Sequence, residues 1–170
     1  IENYINIGHH LAHAAHAFFS SPYSESAILV IDGCGDKLDD QWETVSLYSA
    51  TGNVISLVEK ITGKIEHSTN TIISLSNSIG VLYKNVSAMC GFGPFGEGTL
   101  MGLASYGKPR YRGEYMRFIH TTKKKIEIDN IGLYRHLNKI ISKKSGQYKV
   151  EDMAASAQDV LNNLILYYAK

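Results

Sequence analysis

Residues 8–19, GHHLAHAAHAFF, carry four of the chain's seven histidines, set mainly among alanines. At about 100° per residue on an α-helix, His9, His13 and His16 fall at i, i+4 and i+7 and share one face. His10 points away from them. Leu11, Ala15, Phe18 and Phe19 occupy a different face that can bury against a core. Two imidazoles at i and i+4 can reach one metal ion, as on the HExxH helix. The same face would also suit a phosphate. Further ligands have to come from elsewhere, and Asp32 is the sharpest candidate. It ends the apolar run AILVI, so a sheet rather than a flexible loop would hold its carboxylate.

Asp32 also opens Asp32-Gly33-Cys34-Gly35-Asp36. Glycines there allow positive φ and let backbone N–H groups approach an anion. Asp-Gly is equally a hairpin signal, but about ten polar residues precede the next strand, too many for a two-residue turn. The segment lacks the Lys-Ser/Thr of a P-loop. His10, His16 and Asp36 are weaker candidates for the same site. A third stretch, EGTLMGLASYG, spaces Gly98, Gly102 and Gly107 through a helical pattern. Glycine costs a helix about 1 kcal/mol relative to alanine, so either a backbone or ligand comes close there, or helices pack tightly.

The elements that must position these residues read as follows. Residues 1–7 alternate like a short strand, and 9–19 form a helix stopped by Ser20-Ser21-Pro22. Residues 27–31 are continuously apolar, the pattern of a strand covered on both faces. Strands at 44–48 and 54–61, joined by a turn at Thr51-Gly52-Asn53, complete a three-strand meander. A helix at 78–90 places Ile79, Leu82, Tyr83, Val86, Met89 and Cys90 at helical spacing before a terminating Gly91. A short helix lies in TLMGLASYG, a strand at 125–129 and a helix at 133–141. A long last helix begins near Glu151, with Met153, Ala157, Val160, Leu161, Leu164 and Tyr168 on one face. This order suits an α/β fold: a mixed sheet with helices on its faces.

At 170 residues the chain can form one domain or part of a larger one. A net charge of +1 gives no electrostatic case for nucleic acid or an anionic membrane. The lysine runs 123–125 and 143–144 read as solvated loops. Cys34 and Cys90 are far apart, with no CxxC spacing, which fits a reducing, cytoplasmic setting. No apolar run would span a bilayer, and the start has no signal-peptide pattern. The chain opens without methionine in a strand pattern and stops inside a helical one, so it reads as a piece of a longer protein.

HHLAH, a strand ending in DGCGD, and MGLASYG, in that order, resemble the O-carbamoyltransferase family of nodulation-protein-U and antibiotic-carbamoylating enzymes. The likeness runs from His9 to about Lys108, and more loosely through MAASAQDVL. HHxxH with DGxGD is also similar to the carbamoyltransferase that matures nickel–iron hydrogenase, and HxxxH to the tRNA threonylcarbamoyl-transfer protein. MGLASYG favours the O-carbamoyltransferase branch.

The resemblance implies a ribonuclease-H-like lobe of the actin-like ATPase (sugar kinase and heat-shock 70) superfamily. Residues 1–20 would be the tail of the first lobe and 24–170 the beginning of the second, with a YrdC-like domain outside this chain. It implies ATP with Mg2+ and carbamoyl phosphate as co-substrates, and transfer of carbamoyl from a carbamoyl-adenylate to a hydroxyl of a sugar or natural product. It also implies a divalent metal, commonly iron(II); the donor types suit zinc or manganese alike. The family's metal ligands map onto His9, His13 and Asp32, with a further acidic ligand beyond Lys170. Gly33 and Gly35 match glycines near the nucleotide phosphates. Two positions depart from the pattern: His16 replaces a frequent serine, and Thr99 replaces the usual lysine, which puts activity in question. The competing readings are a non-catalytic metal-binding module of the same fold and the hydrogenase-maturation branch.

Overall fold

The computed structural model describes residues 5–68, 73–122, 125–143 and 148–169. In chain order the elements are α1 (His9–Phe19), β1 (Glu25–Ile31), β2 (Lys37–Leu38), β3 (Gln41–Thr51), β4 (Val54–Gly63), β5 (Ile65–Ser68), β6 (Ile73–Leu75), α2 (Ile79–Met89), α3 (Glu97–Ala104), α4 (Arg112–Met116), β7 (Ile119–Thr122), β8 (Lys125–Ile128), α5 (Asn130–Lys143) and α6 (Val150–Tyr168). Part of the strand expected at 1–7 lies outside the described residues, and residues 5–8 carry no regular structure. The reading of lysines 123–125 and 143–144 also concerns side chains outside those described.

The central sheet is built on β3. One edge of β3 pairs with β4, and the other with β1 and then β2. Every ladder among the described residues is antiparallel, so the sheet is not mixed in direction. The cause is local. Turns at Asp39-Asp40 and Gly52-Asn53 return the chain at once, whereas a parallel neighbour needs a crossover of about a dozen residues. The mixture is of helices with strands.

The Asp32–Asp36 segment is neither the hairpin turn nor a free loop. Ile31 is opposite Val45 and Lys37 is opposite Trp42, so residues 32–36 face only Glu43 and Thr44. Pairing continues through the mismatch. The Asp32 N–H donates to the Thr44 carbonyl at 3.2 Å, the Gly35 N–H to the Glu43 carbonyl at 2.8 Å, and the Glu43 N–H to the Asp36 carbonyl at 3.0 Å. The chain reverses later, at Asp39, with φ of 55°. A bulge of this kind bends the strand and re-aims its side chains.

β1 is not covered equally on both faces. Ile28 and Val30 are buried under α1, while Leu29 and Ile31 on the other face are half-buried. Ala14 and Phe18 pack on Ile28, Val30, Tyr48 and Ala50. α1 therefore buries His10, Ala14 and Phe18, whereas Leu11 and Phe19 are exposed. On the helix this buried strip lies about 130° from the His9–His13–His16 face. Burying the strip centred on Leu11 and Ala15 instead would turn the histidines further from the sheet edge that carries Asp32.

A larger core joins Ile79, Leu82 and Val86 of α2 to Ile126 and Ile128, Leu133 and Leu137, and Met153, Ala157, Val160 and Leu164 of α6. Each fully buried aliphatic side chain contributes roughly 1.5–3 kcal/mol. The expected faces of α2 and α6 are therefore the ones used. In α3, a Cβ on Gly98 or Gly102 would meet nothing within 4 Å, so no backbone comes close there; only Gly107 abuts another helix, against the Glu151 carbonyl at the start of α6. No helix is long and apolar enough to cross a membrane among the described residues.

Candidate metal centre

α1 begins without a side-chain cap of its own, because Gly8 precedes it. Asp36 supplies the cap from the bulge: its Oδ2 accepts the His9 N–H at 2.8 Å. A carboxylate at a helix N-terminus satisfies a free donor and complements the helix dipole. The contact also fixes the first turn of α1 over the bulge. The clamp has a second jaw. Ser78, which caps α2 by accepting the Val81 N–H at 3.0 Å, donates to the Gly33 carbonyl at 2.7 Å. A Cβ on Gly80 would lie 2.5 Å from the Gly33 nitrogen, so α2 presses directly on the bulge. Asp32 is thus held between β3 and the start of α2.

Three expected ligands converge here. His9 Nε2 lies 2.6 Å from Asp32 Oδ2, His13 Nε2 3.7 Å from the same oxygen, and the two Nε2 atoms are 3.2 Å apart. Metal–ligand bonds of about 2.1 Å place adjacent donors about 3.0 Å apart in octahedral and about 3.4 Å apart in tetrahedral geometry. The three separations bracket both values, so the donor set fits a divalent ion. Asp32 Oδ1 is taken by the Gly33 N–H at 2.6 Å, which leaves Oδ2 to face the histidines. Side-chain exposures of 46% for His9, 56% for His13 and 37% for Asp32 leave room for additional ligands. Partial burial works to raise the Asp32 carboxyl, but the hydrogen bonds from His9 and the Gly33 N–H, with the nearby imidazoles, bring it below the usual aspartate value.

The weaker candidates separate. Asp36 is a helix cap. His16 is exposed and lies outside the converging group. His10 is fully buried, with Nδ1 2.7 Å from Ser46 Oγ and Nε2 without a partner. Burial pushes its imidazole down, against the opposing pull of Glu43 and Asp32.

Gly33 and Gly35 do not use positive φ. The Gly33 amide is committed to Asp32 Oδ1 and the Gly35 amide to the Glu43 carbonyl. The space beside Gly33 is open, whereas a Cβ on Gly35 would lie 2.6 Å from the His10 ring and 2.8 Å from Glu43 Oε2. Gly35 is required by close packing.

Sequence reasoning missed Glu43. It is 3% exposed, ion-paired with Lys60 of β4, and its Oε2 accepts the Asp36 N–H at 3.2 Å. The available signal was weak: Glu43, the one charged residue of β3, stands among Trp42, Val45 and Leu47.

Comparison with known proteins bears on the family. The family profile described as Carbamoyltransferase N-terminus matches residues 2–170. An uncharacterized protein of Synechocystis, sll1178, is 41% identical over 61% of this chain and 14% of its own length. Nodulation protein NolO of Bradyrhizobium diazoefficiens is 29% identical over 95% of this chain and 27% of its own. Nodulation protein NolNO of Sinorhizobium fredii is 30% identical over 95% of this chain and 22% of its own. The chain thus spans between about a seventh and about a quarter of the length of these curated relatives. A match over nearly the whole chain, on a fold that brings HHLAH and DGCGD together, places the chain in the carbamoyltransferase family, in the region that forms that family's N-terminus.

Proposed function

We propose that the protein to which this chain belongs is an ATP- and carbamoyl-phosphate-dependent O-carbamoyltransferase, and that this region holds its divalent metal. The observation that carries the reading is the convergence of His9 Nε2, His13 Nε2 and Asp32 Oδ2. Iron(II) is the first choice of metal, with zinc or manganese served by the same donors. A divalent ion supplies Lewis acidity, either to a carbamoyl carbonyl or to nucleotide phosphates.

The chain's own residues do the rest. His9 and His13 offer imidazole nitrogens from one helix face. Asp32 offers a carboxylate clamped between β3 and α2. Asp36 sets the distance between helix and bulge. The open side of Gly33 is where an anionic group could approach the bulge without meeting a side chain. The acceptor is a hydroxyl of a sugar or natural product, and a YrdC-like domain of the parent protein supplies the carbamoyl-adenylate. We assign the chain to an actin-like domain, residues 1–20 closing one lobe and 24–170 opening the next. Two unpaired thiols, Cys34 and Cys90, fit a cytoplasmic setting.

One observation favours a second reading, a non-catalytic metal-binding module. Thr99, exposed on α3, offers no cation where the resemblance to O-carbamoyltransferases implies a lysine. Carbamoyl-phosphate-dependent AMP release by the full-length protein separates the two. The enzyme releases AMP and His13→Ala abolishes release; a binding module releases none in either form.

A further inference from the structure

We infer that Glu43, which offers no ligand to the metal centre, is the positioning residue that sets the distance between its histidines and its carboxylate. The inference rests on the metal reading above. Glu43 engages the bulge at four points. Its backbone N–H donates to the Asp36 carbonyl and its own carbonyl accepts the Gly35 N–H. Its side-chain Oε2 accepts the Asp36 N–H and lies against Gly35, while Oε1 takes the Lys60 ammonium from the neighbouring strand. Asp36 in turn holds the first N–H of α1 through its carboxylate. A continuous path thus runs from Lys60 through Glu43 and Asp36 to the backbone of His9. Asp32 sits four residues before Asp36 on the same bulge.

A parallel contact fixes the height of the helix above the bulge. The fully buried ring of His10 is wedged between Ser46 and Gly35, and Glu43 Oε2 lies 3.9 Å from its Nδ1. Neither polar group is the economical choice for stability. A buried ion pair gains little over apolar packing, and the unpartnered His10 Nε2 is a net cost. Together they do what an apolar pair could not. One carboxylate, accepting from the Asp36 N–H and from Lys60, fixes the bulge in register, and a flat ring sets its separation from α1. Partners that orient metal ligands in this way typically change metal affinity 10–100-fold when removed.

The test uses the full-length protein, with cobalt(II) as the probe. Affinity and the visible d–d spectrum are measured for wild type, Glu43→Gln, Glu43→Ala and, as a control on the ligands, His13→Ala. Thermal unfolding of each metal-free form is recorded alongside. The expected result is tight binding by wild type, loss with His13→Ala, and a 10–100-fold weaker affinity with an altered spectrum for Glu43→Ala. Glu43→Gln is nearly isosteric and keeps an acceptor for the Asp36 N–H. It is expected to fold, to bind about tenfold more weakly, and so to carry the comparison if the alanine variant does not fold. Wild-type affinity and spectrum in folded Glu43→Gln and Glu43→Ala would overturn the positioning role and leave the metal reading standing. Absence of cobalt binding by wild type would overturn both.

Discussion

Replacing Gly35 by alanine tests the packing beneath the bulge. The added Cβ would sit 2.6 and 2.7 Å from His10 Cδ2 and Nε2, and 2.8 Å from Glu43 Oε2. Ordinary contact begins near 3.4 Å, so two side chains must give by more than half an ångström. His10 is fully buried and held by Ser46, and Glu43 is held by Lys60, so the bulge itself has to move. Overpacking of this kind costs about 1–3 kcal/mol. Stretching the bond from Gly35 N–H to the Glu43 carbonyl adds about 0.5–1.5 kcal/mol. A loss of about 2–4 kcal/mol is therefore expected in urea unfolding. Gly35 has no positive φ, so no backbone strain contributes. Gly33→Ala is the matched control, because its Cβ would meet nothing within 4 Å. It should stay within about 0.5 kcal/mol of wild type. Equal stability of Gly35→Ala and wild type, or an equal loss in both variants, would refute the contact argument.

A hydrogen bond from His136 and the nearby Arg117 outweigh partial desolvation and hold the Glu114 carboxyl below its usual value. A depressed carboxyl contributes stability above its unfolded value near about 4.3 and loses it as pH falls through the lower folded value. Glu114→Gln should flatten the acid limb of a stability–pH curve; an unchanged slope would contradict this. Burial, with Asp32 beside it, raises the Cys34 thiol despite the opposing Lys84, and burial pushes Cys90 up to about 11. Iodoacetamide at neutral pH should therefore label exposed Cys34 more slowly than free glutathione, and faster labelling would contradict the assignment. Thr99→Lys in the full-length protein should raise carbamoyl transfer if that position meets an anionic group; an unchanged rate would remove Thr99 from the site.

The candidate metal ligands were legible because each has a local signal. The i, i+4 pair His9 and His13 needs only a helix, and Asp32 needs only to end a strand. The helices over 9–19, 79–89 and 150–168 announced themselves through composition, periodicity and the stops at Ser20-Ser21-Pro22 and Gly91. The bulge was not legible. Five residues opposite two is a property of the register between β1–β2 and β3, and a polar, glycine-rich segment looks the same as a loop. The role of His10 was hidden for a related reason. Alanines leave the rotation of α1 undetermined by hydrophobicity, and the sheet, together with the Asp36 cap, selects it. The small hairpins β5–β6 and β7–β8 were missed except for β8, because strands of three or four residues carry too little alternation to register. Gly98 and Gly102 invited a packing explanation that the structure does not bear out, since their side of α3 is open.

The most direct measurement is a crystal structure of the full-length protein grown with iron(II), with anomalous data collected at the iron edge. One peak is expected about 2.0–2.2 Å from His9 Nε2, His13 Nε2 and Asp32 Oδ2 together. A peak elsewhere, with these three atoms still hydrogen-bonded to one another, would contradict it.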